Sequence, residues 1–335
     1  MESGWRLSCR MQDVAPVLNE LFFMASVRKL LPFMAALLLG PSFVHAEETL
    51  IVADQKGQQK ALLEAAGQDK NLPYTLHWTE FEAASPLLQA LAANAVDTGI
   101  AGDGPFLFAW GAHLPIKAAF LVPPRGGGES TAVVTSATSP IRTAADLSGK
   151  RIGTGKGSIG HLLLLRLIAT GAIPAPAPHI VFLAPAQAKA ALDTGQIDAW
   201  STWEPYVSLA VVESHAHNIV DGRNVMPNNS FFVATNEALA TKHAQLADFY
   251  QRMTAAYAWG TEHQAEYAAI LARQTGLPLP VATAVAKRLI AAPAPLTPKV
   301  IQQEQTTLDA YRSGGFLKDA GKLEDAFDLT VSTPQ

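Results

Sequence analysis

The chain has 335 residues, 49% of them hydrophobic and 16% charged, and a formal net charge of −4. High hydrophobicity with low charge excludes intrinsic disorder, and the acidic balance argues against a nucleic-acid partner, which would require a basic surface. The length points to about two domains. A mean hydropathy of +0.13 raises the question of whether the apolar residues are spread through the chain or gathered in one segment.

In chain order, the first feature is such a segment. Leu30 to Val44 is a 15-residue apolar run, preceded by Arg28 and Lys29 and followed by Val44-His45-Ala46. It is shorter than the ~18–20 residues of a spanning helix. A basic start, an apolar centre and a small-residue site make up a secretory signal, which predicts cleavage after Ala46 and export to the periplasm. The alternative is an uncleaved N-terminal membrane anchor. There is no twin arginine, so general secretion is the expected route. Met24 stands just before the basic pair and is an alternative start to Met1. The only cysteine, Cys9, lies in segment 1–46. Its removal would leave no disulfide, thiolate nucleophile, cysteine metal site or acylated-cysteine anchor.

Strand and helix signals alternate from Thr49 onward. Leu50 to Ala53 reads as a buried strand, and Gln58 to Ala66 as a helix stopped by Gly67. Tyr74 to Trp78 alternates like a strand. Ser85-Pro86 predicts a helix start, with Ser as N-cap and Pro at the first position, and the helix runs to about Ala93. Thr98 to Ala101 is a further strand. A second series begins at Ala132-Val133-Val134. Thr143 and Asp146 have capping-box spacing with Asp in place of Glu. Arg151 to Gly153 reads as a strand, His161 to Thr170 as a helix ended by Gly171, Ile180 to Leu183 as a strand and Ala186 to Leu192 as a helix. From Glu237 the chain reads as mostly helical. Such alternation implies an α/β fold with a largely parallel sheet.

The two series echo each other. Ala90-Leu91 and Asp97 match Ala191-Leu192 and Asp198 at an offset of 101, Val96 matches Ile197, and the acid Asp103 matches the acid Glu204. The alternative is chance matching in an alanine-rich chain. A true repeat implies two similarly built α/β lobes. Loops after strand C-termini line the ligand crevice of open α/β sheets, so Asp103 and Glu204 would face a cleft, one from each lobe.

Several short patterns bear on chemistry. Gly155-x-Gly157-x-x-Gly160 has dinucleotide-fingerprint spacing but no acid about 20 residues on for a ribose. The simpler content is that Gly157 and Ser158 open a helix, whose free N–H groups suit an anion; an ordinary N-cap serine is the alternative. Trp203-Glu204-Pro205-Tyr206 sets aromatics around a carboxylate, either for ligand contact or for core packing, with Trp200 the better core candidate. Asp54-Gln55-Lys56-Gly57 is either a polar contribution to the same cleft or a plain strand–helix turn. His215-x-His217 reads as a solvated loop rather than a metal site. No nucleophile elbow, phosphate-binding loop or zinc spacing occurs, so no metal or cofactor is expected.

Together these motifs resemble the substrate-binding subunits of ABC importers, most closely the aliphatic-sulfonate branch, beside the taurine, nitrate and thiamine-precursor binders. The similarity runs from about Ile51 to Arg312. Trp78-x-x-Phe81, Pro86-Leu87-Leu88-x-Ala90-Leu91, Gly102-Asp103-x-Pro105, Ser139-Pro140-Ile141 and Asp146-Leu147-x-Gly149-Lys150 carry it. So do Lys156-Gly157-Ser158-x-x-His161, Asp198-Ala199-Trp200 and Trp203-x-Pro205-Tyr206. The resemblance implies a two-lobed type II periplasmic-binding-protein fold, each lobe a mixed, mostly parallel sheet flanked by helices. Lobe one would hold 47–130 and 233–335, and lobe two 131–232, with crossings near Ser130-Thr131 and Phe232-Val233. It also implies a monomer, not an enzyme, that delivers a small anionic or zwitterionic ligand to an ABC permease.

Carried over residue by residue, the resemblance puts Gln55, Gly102, Asp103, Gly104, Gly157, Ser158, His161, Trp203 and Glu204 at the ligand. This chain departs from the family pattern in Ala53-Asp54-Gln55-Lys56, where Asp54 replaces an aromatic, in Ile159 after Lys156-Gly157-Ser158, and in Glu204 for aspartate. The added acid suggests an aminosulfonate whose ammonium meets Asp54, Asp103 or Glu204. Alternatives on the same fold are a nitrate, pyrimidine-precursor or aromatic-sulfonate binder, or an enzyme.

Overall fold

The computed structural model describes residues 48–318 and 321–331. The apolar run, the Ala46 site and Met24 lie outside them. In chain order the first elements are β1 (Thr49–Gln55), α1 (Gln58–Ala65), β2 (Thr75–Phe81), α2 (Ala84–Ala92), β3 (Thr98–Gly102), α3 (Asp103–Gly111) and β4 (Ile116–Val122). Then come β5 (Thr131–Thr135), β6 (Arg151–Thr154), α4 (Ile159–Ala169), β7 (His179–Phe182), α5 (Pro185–Asp193), β8 (Ala199–Trp203), α6 (Tyr206–Glu213) and β9 (His217–Asp221). The chain closes with β10 (Ser230–Thr235), α7 (Asn236–Thr241), α8 (His243–Glu262), α9 (Gln264–Thr275), α10 (Leu279–Leu289) and α11 (Pro298–Ser313).

The strands form two mixed five-stranded sheets, ordered β2-β1-β3-β10-β4 and β7-β6-β8-β5-β9. The orders correspond strand for strand. In each, three neighbouring strands run parallel, and the fourth pairs antiparallel with both its neighbours. That fourth strand, β10 or β5, is the one the chain enters on arriving from the other sheet. The echo has an atomic counterpart. Asp97 Oδ2 accepts from the Ile51 amide at 2.7 Å, and Asp198 Oδ2 accepts from the Arg151 amide at 2.8 Å. Each aspartate, just before β3 or β8, thus fixes the start of that strand against the neighbouring β1 or β6.

Local chemistry shifts some expected boundaries. α2 starts one residue before Ser85, with Ala83 as N-cap and Pro86 inside the first turn; proline is tolerated there because first-turn N–H groups have no intrahelical acceptor. α4 starts before His161, because Ser158 is its N-cap and accepts from the His161 amide at 3.2 Å. His217 begins β9 rather than lying on a loop. The Thr143–Asp146 capping box is formed, over a short 3-10 turn. Phe232 and Val233 are not a crossing: both are fully buried within β10, and the return runs through 222–229, ending at Asn228-Asn229.

Apolar side chains cover both faces of both sheets. On one face of the first sheet, α1, α8, α9 and α10 bury Leu62, Phe249, Tyr257, Leu271 and Val285 together. On the second sheet, α5 and α6 pack Leu192 and Val207 against Val134 and Trp200. The largest core runs through α3, α4 and α11 and joins the two halves. The Tyr311 hydroxyl of α11 reaches across to donate to the carbonyls of Gly157 and Ser158, at 3.2 and 3.0 Å. Among the described residues, no helix is long and apolar enough to cross a membrane.

Candidate functional site

The strands of both sheets deliver their following loops and helix starts to one cavity of about 470 Å³. Its walls include Gln58 and Gln59 of α1, Ser85 of α2 and Pro105 of α3 from the first sheet. The facing wall carries Ser158 and Ile159 of α4 with Ala184 and Pro185 of α5. Every one of these residues sits at or before the first turn of its helix. Helix N-termini carry the positive end of the helix dipole and N–H groups with no intrahelical acceptor; at α1 those of Gln59 and Lys60 go to Asp54, and at α3 those of Asp103 and Gly104 go to the Asn229 carbonyl and Asp103. Their convergence makes a site for an anion without requiring a concentrated side-chain charge. The cavity also reaches the connections between the sheets, through Arg125, Asn228 and Asn229.

Of the residues singled out from sequence, Gln55, Gly102, Ser158, Trp203 and Glu204 line this cavity. Gln55 holds its amide by donating to the Ile100 carbonyl at 2.8 Å. Trp203 meets the Tyr206 ring edge-on at 5.8 Å, which fixes the indole plane at the wall. Trp200, by contrast, is 2% exposed in the core.

Asp54, Asp103, Gly104, Gly157 and His161 are not on the wall, and each has a structural occupation. Asp54 Oδ2 accepts from the Gln59 and Lys60 amides, both at 2.9 Å. It caps α1, whose own N-cap, Gly57, is left-handed and has no side chain to do so. Burial pushes the Asp54 carboxyl from 3.8 up to about 7 against these hydrogen bonds, with a smaller push from Glu80. Asp103 is fully buried; it accepts from the Gly104 and Asn229 amides at 2.6 and 3.0 Å, and burial raises it to about 7. Asn229 in turn donates from its side chain to Glu304 of α11 at 2.7 Å. Burial, and then the charge of Asp103, pushes Glu304 well above the carboxylate range. Two acids thus tie the β3–α3 turn, the returning connection and α11 together.

Gly104 lets α3 approach α4: a Cβ there would stand 3.1 Å from the Tyr311 hydroxyl and 3.3 Å from the Ile159 Cα. Gly157 has φ +70° and packs under the Phe108 ring, a backbone state that suits glycine. His161 is fully buried among the rings of Phe182, Tyr311 and Phe316. Its Nδ1 accepts from the Gly157 amide at 3.2 Å. Burial, helped by Lys156, pushes its pKa down to about 4, so it packs as a neutral ring.

The family model described as NMT1/THI5 like matches residues 79–267. The chain belongs to this family. A relative in Escherichia coli (strain K12), named for aliphatic sulfonate binding, is 30% identical over 83% of this chain and 89% of its own length. The taurine-binding periplasmic protein of the same strain is 31% identical, over 40% of this chain and 41% of its own. Among solved structures, the alkanesulfonate-binding protein SsuA from Xanthomonas axonopodis pv. citri, bound to MOPS, has a TM-score of 0.76 and 29% identity, and the match covers 84% of this chain and 98% of that one. The desulfurization enzyme DSZB has the same fold at 15% identity and a TM-score of 0.58.

Family membership directs attention to wall residues outside the sequence motifs. Glu82, Arg125, Tyr257 and Arg288 line the cavity but stand in no pattern that the sequence made legible. Arg288 in the last turn of α10 reads in isolation as a cation placed on a helix C-terminus. Its guanidinium instead meets Glu204. The wall therefore combines helix N-termini, hydroxyls and amides for an anion with an indole and aliphatic residues for an apolar tail.

Proposed function

We propose that this chain is the solute-binding subunit of an ABC importer, holding a small sulfonate-type anion between its two sheets and delivering it to a membrane permease. The observation that carries this reading is the convergence of helix N-termini on a 470 Å³ cavity, in a family whose members include sulfonate- and taurine-named proteins. A sulfonate offers three acceptor oxygens to such N–H groups, and its organic tail suits the Trp203 and Ile159 side. In this reading Gln55, Gly102, Ser158 and Trp203 touch the ligand. The protein acts as a monomer in the periplasm after cleavage near Ala46, with no nucleic-acid partner. Closure about the connections 123–130 and 222–229 encloses the ligand, which favours the closed state only by its differential affinity for it.

A thermal-shift panel of alkanesulfonates, taurine, nitrate and pyrimidines tests this. At about 100-fold above Kd a bound ligand adds roughly 2.7 kcal/mol to stability, or several degrees in Tm for a chain of this size. A shift with nitrate or a pyrimidine and none with any sulfonate would overturn the reading.

A further inference from the structure

We infer that Arg288, Glu204 and Tyr206 are positioning residues for closure. The two halves stay joined where α3 and α11 meet α4, and part where α10 meets α6; these three residues latch the parting side. This rests on the solute-binding reading above and adds to it the direction of opening. Side chains alternate between the two faces of a strand. In β1, Leu50 and Val52 share a core with α10, while Ala53 shares one with α3 and α11. In β5, Ala132 and Val134 share a core with α6, while Val133 shares one with α4. The halves therefore meet twice, once on each face of the sheets.

The two junctions differ in kind. Phe106 and Leu107 of α3, Leu162 and Leu163 of α4 and Leu308 of α11 are fully buried in one core that takes residues from both sheets. On the other face the cores under α10 and α6 are separate, and the α6 side chains that reach the α10 core, Leu209 and Val212, are only half-buried. Polar contacts make up the bridge there. Arg288 Nη1 donates to Glu204 Oε1 at 2.6 Å and to the Ser208 hydroxyl at 3.2 Å. The Tyr206 hydroxyl donates to the Glu82 carbonyl at 2.8 Å. Burial, and then the charges of Glu82 and Glu80, push that hydroxyl well above its usual pKa, so it stays a donor.

Parting the first junction would expose leucine and phenylalanine to water, at a cost proportional to the apolar area. Parting the second returns water to the Glu204 carboxylate, now 0% exposed, and to the Arg288 side chain, now 24% exposed. Regained hydration offsets the lost ion pair. The connections between the halves fit this motion. Arg166 of α4 holds the return connection by donating to the Val225 carbonyl at 3.0 Å. The outgoing connection is pinned beside α10, where Arg125 donates to the Ile290 carbonyl at 2.7 Å. Gly126, Gly127 and Gly128 follow at positive φ and can absorb a change of chain direction.

Spin-label pairs at exposed positions, in a Cys9→Ser background, read each junction separately by double electron–electron resonance. Glu213→Cys with Thr283→Cys spans α6 and α10, and Ala169→Cys with Gln303→Cys spans α4 and α11. Without ligand, Arg288→Gln should at least double the population at the longer α6–α10 distance and leave the α4–α11 distance unchanged. Tyr206→Phe should act in the same direction, which keeps the test decisive if Arg288→Gln does not fold. A longer α4–α11 distance, or an α6–α10 distance that neither variant changes, would overturn the inference. Excess ethanesulfonate should shorten the α6–α10 distance again. If the variants lengthen that distance and ethanesulfonate does not shorten it, the sulfonate reading fails and the latch stands.

Discussion

Asp54→Asn probes the balance between burial and hydrogen bonding beside the cavity. The carboxyl is 1% exposed and receives two amide hydrogen bonds on Oδ2, while Oδ1 has no partner among the described residues. Loss of hydration outweighs those bonds, and the pKa moves from 3.8 to about 7. The folded protein therefore holds this proton more tightly than the unfolded chain does. The associated stability is fully present below pH 3.8, is lost as pH rises, and is gone above about 7. At about 1.4 kcal/mol per pH unit the interval corresponds to at most about 4 kcal/mol. Asparagine keeps an acceptor for the amides and has no charge to bury. Urea unfolding of both proteins between pH 4.5 and 8.5 should give similar midpoints at the acid end and a variant more stable by about 2–4 kcal/mol at pH 8. A difference that stays constant across this range would refute the reasoning, because the carboxyl would then ionise alike in the folded and unfolded chains. The same proton matters for binding. Ionised Asp54 puts a negative charge next to Gln55, so anion affinity should fall above pH 7 in the unmodified protein and fall less in the variant, where Asp103 alone of the two still ionises.

Three further outcomes follow from the geometry. Glu304→Gln keeps an acceptor for Asn229 and removes the second buried acid. Since burial raises Glu304, its contribution is also lost as pH rises, and the variant should show a higher urea midpoint than the unmodified protein at pH 8 and a much smaller difference at pH 5. Gly157→Ala forces a left-handed alanine and sets a methyl group against the Phe108 ring, which should cost at least about 1–2 kcal/mol in chemical denaturation. Tyr206→Phe removes the 2.8 Å hydrogen bond from α6 to the Glu82 carbonyl across the cleft. A net loss of about 1 kcal/mol should speed ligand release roughly fivefold in stopped-flow fluorescence, with the melting of the unliganded protein little changed.

The α/β class and the paired architecture were legible because they rest on repetition. Hydrophobic-Asp before a short strand recurs at Asp97 and Asp198 because both aspartates do one backbone job, and a repeated job leaves a repeated residue. The ligand wall was legible only in part. A motif identifies which loop lies at the cleft, as with Gln55, Ser158 and Trp203, but not which way a side chain turns within it. Asp54 and Asp103 turn inward because nearby amides lack acceptors, a demand set by three-dimensional packing. His161 is a polar letter in an apolar box whose other walls, Tyr311 and Phe316, come from about 150 residues further along the chain. Arg288 had no local signal at all, since its partner Glu204 lies 84 residues away and nothing in the α10 sequence points to it.

The attraction assembled at the cavity comes largely from peptide groups at helix starts. A charge made of backbone dipoles has no proton to lose, unlike one made of histidine or lysine. The imidazole of His161, behind the wall, is buried as a neutral ring, and the wall guanidinium of Arg288 is already matched by Glu204. Capture strength should therefore depend on acidity through carboxyls, Glu204 on the wall and Asp54 and Asp103 behind it. A cell would keep one constant trap below about pH 7, weakened by the medium only where Asp54 and Asp103 ionise.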